Sequence, residues 1–166
     1  MQRTRLADVT CSIARALDVV GEWWTLLVVR DLALGVTRFE DIRRDLGIAS
    51  NVLTDRLDTL LTAGVVSRRP YQTNPVRHEY TLTPKGADLM PVLYALLRWG
   101  DTWSAGESGV PMVLRHDRCG HRTSARVVCS ACGEDLRHGE VTALPGPGGS
   151  AGAGTAVLGR LLANQR

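Results

Sequence analysis

Two short runs carry the residues best suited to holding a metal. His116-Asp117-Arg118-Cys119-Gly120 is echoed, ten residues on from Cys119, by Cys129-Ser130-Ala131-Cys132-Gly133. Both have the form ligand-x2-Cys-Gly. The two-residue gap lets a tight turn aim both donors at one ion, and the glycine relieves the backbone beyond it. The pattern predicts a small zinc ribbon with His116, Cys119, Cys129 and Cys132 as ligands. Zinc is then a structural cofactor, because four protein ligands leave no open position for catalysis. His121 is the alternative histidine, two residues from Cys119, although it follows the glycine and breaks the echo. A metal-free reading makes Cys129 and Cys132 a thiol pair that can oxidise. A thiol-disulfide enzyme fits less well, because a redox C-x-x-C belongs at a helix N-terminus in a βαβ setting.

A second set of residues suits nucleic acid. Ser50, Asn51, Thr54, Asp55 and Arg56 are polar positions interleaved with Leu53, Leu57, Leu60 and Leu61. On a helix the leucines fall on one side and the polar residues on the other. A helix that enters the major groove needs short polar or donor side chains at its N-terminal end. Asparagine can pair with adenine and arginine with guanine, while Asp55 can accept from cytosine but repels phosphate.

The elements that position these residues follow from periodicity and stop signals. Ser12 is placed to cap a helix to about Val20, and Trp23 to Leu34 is apolar nearly all round, as a buried helix would be. Phe39, Ile42 and Leu46 mark a short helix, with Thr37 as its expected cap and Gly47 as its stop. Ser50 is the expected cap of the next helix, which ends at Gly64. Two helices across a turn of Gly47 to Ser50 have helix-turn-helix spacing. Val65–Arg69 and Arg77–Leu82 read as strands flanking the loop PYQTNP, a hairpin that forms a wing. Thr83 and Pro84 start a further helix, which Pro91 should loosen, and its leucines and tryptophans cover too much circumference for one chain to bury. A second copy is the expected cover.

Composition sets the frame. The chain has 166 residues, 44% hydrophobic and 22% charged, enough for one core plus an appendage and against disorder throughout. No apolar run approaches the ~20 residues that span a bilayer, and Arg15, Asp18 and Glu22 interrupt the N-terminal apolar stretches. A cytoplasmic protein without a membrane partner is the expectation. Nineteen of the 20 basic residues are arginine, yet the net charge is only +3, so placement must decide about nucleic acid. Between Val36 and Arg77 stand seven arginines, at 38, 43, 44, 56, 68, 69 and 77, against five acids. Arg68, Arg69 and Arg77 fall on the wing, where a hairpin can follow phosphates. The organisation expected is a winged helix-turn-helix over residues 1–106, mainly α with a small β-wing, a ribbon over 113–144, and a flexible tail over 145–166 that begins PGPGGSAGAG. No paired carboxylates, Ser/His/Asp set or glycine-rich phosphate loop points to an enzyme.

The runs GEWWTLLVVRDL, RFEDIR and HEYTLTPKG, in register after Cys11, resemble the HxlR-type branch of the winged-helix, MarR-like bacterial transcriptional regulators over roughly residues 8–104. The resemblance implies a homodimer joined by its N- and C-terminal helices, presenting two recognition helices to double-stranded DNA at a pseudo-palindromic operator. Carried over by position, Ser50, Asn51, Thr54 and Arg56 fall on the recognition helix and Arg68, Arg69 and Arg77 on the wing; Arg38, from the same arginine-bearing segment, is a further DNA-binding candidate. Asp55 departs from the basic or polar residue usual in the family, and Asn51 from a frequent lysine. Cys11 matches a position where members commonly carry cysteine, which makes it a redox-sensing candidate beside the plainer reading of a packed thiol. A small-molecule effector, if one binds, is expected between the dimer helices and the winged domain, near Trp23, Trp99 and Trp103. A winged helix can also serve as a protein-interaction module.

Overall fold

The computed structural model describes residues 6–163, so residues 1–5 of the expected first unit and the last three of the tail lie outside it. A 3-10 turn at Leu6–Asp8 leads into α1 (Ser12–Val20), α2 (Thr25–Ala33), α3 (Phe39–Leu46) and α4 (Ser50–Thr62). A hairpin of β1 (Val66–Thr73) and β2 (Val76–Leu82) follows, then α5 (Pro84–Ala87) and α6 (Met90–Trp103). A two-residue pair, β3 (Leu114–Arg115) with β4 (Arg122–Thr123), and α7 (Ala156–Ala163) complete the order.

The core is built around the inner stripe of α4. Leu53, Leu57 and Leu60 recur at helical spacing and are buried with Val28, Val29 and Leu32 of α2, Ile42 of α3, Ile48, Val65, Val66 and Tyr80. Gly47 ends α3 in the left-handed region, at φ 63°, where a side chain would be strained, and so lets the chain reverse into α4. The wing is an antiparallel pair with Val66 opposite Leu82 and Arg69 opposite Glu79. A third segment joins it: the Tyr80 amide donates to the Thr37 carbonyl at 2.8 Å, and Arg38 bridges Glu79.

That third segment explains one departure from the expected caps. With Thr37 committed to β2, the N-cap of α3 falls one residue later, on Arg38, and no side chain caps the helix. Ala49 rather than Ser50 is the N-cap of α4, its carbonyl accepting from the Leu53 amide, and Cys11 rather than Ser12 is the N-cap of α1. Thr83 does cap α5, accepting from the Gly86 amide at 3.2 Å with Pro84 in the first turn.

Other boundaries shift for steric reasons. The wing strands run to Thr73 and Val76, and the expected six-residue loop shrinks because a bulge at Tyr71 absorbs the extra residue. The helix expected from Thr83 onward is broken in two. Proline lacks an amide and clashes with the preceding turn, so Pro91 sits at the start of α6. Helix α2 begins at Thr25, leaving Trp23 87% exposed, and it buries mainly one face. Trp99 and Trp103 are exposed as well, at 61% and 74%. An apolar cavity of about 590 Å³ lies between Leu26, Leu27 and Leu34 near α2, Leu93 and Leu97 of α6, and Met112 and Leu114.

The tail departs from expectation as well. It carries α7, Thr155 is buried, Ser150 Oγ donates to Thr10 Oγ1 at 3.3 Å across 140 positions, and Gly154 packs so closely on Val9 that a Cβ would come within 2.8 Å of it. Glycine spacing reads as flexibility in isolation, but here Gly154 admits close packing.

One buried charge tests the core electrostatically. Asp31 Oδ1 accepts from Arg30 Nε (2.9 Å) and Nη2 (2.7 Å), while its buried Oδ2 has no partner. Burial raises its pKa above the ordinary carboxylate value, and the Arg30 bonds offset this only in part. The folded chain therefore holds this proton more tightly than the unfolded one. Stability from it is present below the ordinary carboxylate range and is lost as pH rises through the folded pKa. Asp31→Asn cannot ionise, so its stability relative to the parent should rise as pH climbs from below the ordinary carboxylate value through the raised folded pKa. Denaturant unfolding of both proteins measures this, and a pH-independent difference would contradict it.

Candidate nucleic-acid interface

The outer face of α4 carries Ser50, Asn51, Thr54 and Asp55, all exposed, while Val52 is half-buried and Leu53 fully buried. Thr54 Oγ1 donates to the Ser50 carbonyl at 2.9 Å, which occupies its proton and leaves its lone pairs outward. No side chain caps the helix, so its first amides and positive dipole end stand beside these polar groups. Such an end favours an anion.

Arg56 does not join them. Its side chain is only 16% exposed and turns back to the α1–α2 connection, with Nη1 3.5 Å from Glu22 Oε2. Position 56 lies one turn beyond Val52 and one residue before Leu57, on the flank of the apolar stripe, so the long stem packs there and brings the guanidinium inward.

On the wing, Arg68, Arg69 and Arg77 are exposed. Arg69 is paired with Glu79 across the strands. Arg38, Arg68 and Arg77 have no carboxylate within ion-pair distance among the described residues, unlike Arg43 with Glu40 and Arg44 with Asp41. Arg38 lies over the Tyr71 ring, 4.7 Å from its centroid. Tyr71 was not assigned a role from sequence. Its bulged position stations an aromatic face under Arg38, and the one signal was a tyrosine inside an otherwise polar loop. Between the wing and α3 a groove of about 580 Å³ is walled by Arg38, Arg44, Tyr71, Arg77 and His78, with Glu40 and Asp41 on the α3 side.

The sequence-predicted metal ligands fall into two pairs. His116 Nδ1 is 3.3 Å from Cys119 Sγ. Cys129 and Cys132 form the other pair: the backbone at Cys132 and Ala131, and then the Cys132 side chain, lower the Cys129 pKa. Among the described residues no three His, Cys, Asp or Glu side chains stand together in a way that would hold an ion, so the four are not gathered at one point. All four cysteines are free thiols. Cys11 is half-buried at the N-cap of α1.

Two helices across a glycine turn, the second with a polar outer face, and a hairpin tied to the first define a winged helix-turn-helix DNA-binding fold. The model of the HxlR-like helix-turn-helix family matches residues 19–108, and the chain belongs to that family. It is 44% identical over 137 residues, 82% of this chain and 87% of the relative, to Rv3095 of Mycobacterium tuberculosis, described as an uncharacterized HTH-type transcriptional regulator. YvaP of Bacillus subtilis, described in the same terms, is 38% identical over 90 residues, 54% of this chain and 83% of the relative. Among solved structures, PA1607 covers 84% of this chain and 98% of its own at 32% identity with a TM-score of 0.75, and PA1374 of Pseudomonas aeruginosa covers 84% and 95% at 38% identity with a TM-score of 0.59. A 137-residue alignment cannot end before residue 137 of this chain, so the likeness to Rv3095 continues past the family region, which ends at residue 108. The protein is a transcriptional regulator and not an enzyme. No helix among the described residues is long and apolar enough to cross a membrane.

Proposed function

We propose that the chain acts as a homodimer on a pseudo-palindromic DNA operator. Ser50, Asn51, Thr54 and Asp55 of each α4 face base edges in the major groove, and Arg38, Arg68 and Arg77 of each wing lie along the backbone, with Arg69 held in register by Glu79. The observation that carries the reading is the exposed polar face of α4 beside three arginines without carboxylate partners. Arginines whose charge no carboxylate offsets matter because the chain as a whole is only mildly basic.

The dimer part rests on apolar surface. Ile13 and Leu17 of α1, and Val92, Leu96, Trp99 and Trp103 of α6, are exposed on the two helices that flank the winged unit. A second copy applied about a two-fold axis covers both sets and sets two α4 helices about 34 Å apart, or a multiple of it. The test joins sedimentation of the free protein with gel retardation of DNA from its own upstream region. Twice the chain mass and a retarded complex of one dimer per site are expected; a monomer, or no preference over unrelated DNA of equal length, would overturn the proposal.

A further inference from the structure

The two cysteine-bearing turns share two backbone hydrogen bonds and a glycine conformation. In the first, the His116 amide donates to the His121 carbonyl at 2.9 Å and the Gly120 amide to the His116 carbonyl at 2.7 Å. In the second, the Cys129 amide donates to the Glu134 carbonyl at 2.8 Å and the Gly133 amide to the Cys129 carbonyl at 2.9 Å. Gly120 and Gly133 both take left-handed conformations, at φ 73° and 78°. Short ladders flank both turns, Arg115 with Arg122 in the first and Val128 with Asp135 in the second.

This equivalence separates the two histidines. His116 occupies the place of Cys129 and Cys119 that of Cys132, whereas His121 occupies the place of Glu134. The 3.3 Å between His116 Nδ1 and Cys119 Sγ is near the ~3.5 Å that two donors of one tetrahedral zinc would have, from Zn–N of about 2.0 Å and Zn–S of about 2.3 Å. A second observation is independent of the donors. No residue from 113 to 144 is buried, and Val113, Val127, Val128, Leu136, Val141 and Leu144 are exposed. A segment of this size with no apolar core needs another cross-link, and a structural metal is one that small modules use. The thiols are not bridged to each other.

We propose that His116, Cys119, Cys129 and Cys132 together hold one zinc ion, which supplies the core that residues 113–144 otherwise lack. The ion draws the two ligand pairs onto one point, and the thiol protons pass to solvent as it binds. Three thiolates and an imidazole favour zinc over harder divalent cations, and four protein ligands close the site to chemistry. The loaded module bears on α6, where Arg98 Nη1 donates to the Ala125 carbonyl at 3.2 Å and Tyr94, Leu97 and Asp101 line a cavity of about 320 Å³ with Arg122 and Thr123. The site is separate from α4 and the wing, so it stands or falls apart from the DNA reading.

The experiment uses the full chain purified with reductant. Elemental analysis should find about one zinc per chain, and exchange into cobalt should give the visible bands of a tetrahedral ion with thiolate charge transfer. Cys132→Ser should lose both, and His116→Ala should weaken cobalt binding at least about tenfold, while His121→Ala leaves it unchanged. Chelation of the unmutated protein should speed hydrogen exchange across 113–144 and spare α2 to α4, a readout that does not depend on a variant folding. Metal-free protein with three titratable thiols and no cobalt spectrum would overturn the site, as would a Cys129–Cys132 disulfide in place of zinc. Loss of cobalt in His121→Ala but not in His116→Ala would overturn the ligand assignment.

Discussion

Leu53→Ala should lower the free energy of unfolding by about 3 kcal/mol, the middle of the range for deleting a fully buried leucine. Leu53 has no exposed surface and belongs to a cluster in which Val28, Val29, Ile42 and Leu60 have none either. Neighbours enclosed on all sides cannot collapse far into the space left behind, so most of the cavity cost remains. The effect reaches function because Leu53 lies between Asn51 and Thr54 on the same helix and anchors the turn that presents them. Denaturant unfolding gives the value, with Leu46→Ala, only half-buried, as a comparison that should cost markedly less. A cost below about 1 kcal/mol for Leu53→Ala would mean that this stripe does not anchor α4.

Arg68→Ala combined with Arg77→Ala should weaken operator binding by about a hundredfold, taking about 1.5 kcal/mol for each charged contact to phosphate. The salt dependence should also change: each lost phosphate contact reduces the slope of log K against log salt by about one. Both side chains are exposed and neither is tied to a carboxylate among the described residues, so the fold should tolerate the change. Arg56→Ala is the discriminating control. Its guanidinium faces Glu22, so it should alter stability modestly and leave the salt slope unchanged. Isothermal binding at several salt concentrations separates the outcomes. A full slope in the wing double variant, or a slope reduced by Arg56→Ala, would reverse the assignment of these arginines.

The contrast between Arg56 and Arg68 shows how far residue patterns reach. The apolar stripe of α4, the glycine stop at Gly47, the hairpin and the Thr83 cap are local consequences of spacing and backbone chemistry, and they are present in the structure. Which way a long side chain on the flank of a stripe will turn depends on what stands across from it, and Glu22 lies 34 positions earlier in the sequence. The shifted start of α3 has the same origin, a strand pairing between Thr37 and Tyr80 that no local window contains. Tyr71 meets Arg38 at a bulge in the wing, which no local spacing shows. The paired turns of the C-terminal module were legible as an echo of spacing. Their matching hydrogen bonds, which separate His116 from His121, required coordinates.

The contact between Ser150 and Thr10 makes the polypeptide almost a ring, with its closing bond 140 positions long. Closure entropy grows only logarithmically with such a span, but the bond gains nothing until everything between its ends is in place. The seam where Val9 meets Gly154 and Thr10 meets Ser150 should therefore open before the buried stripe of α4, which faster hydrogen exchange in α7 than in α4 would show.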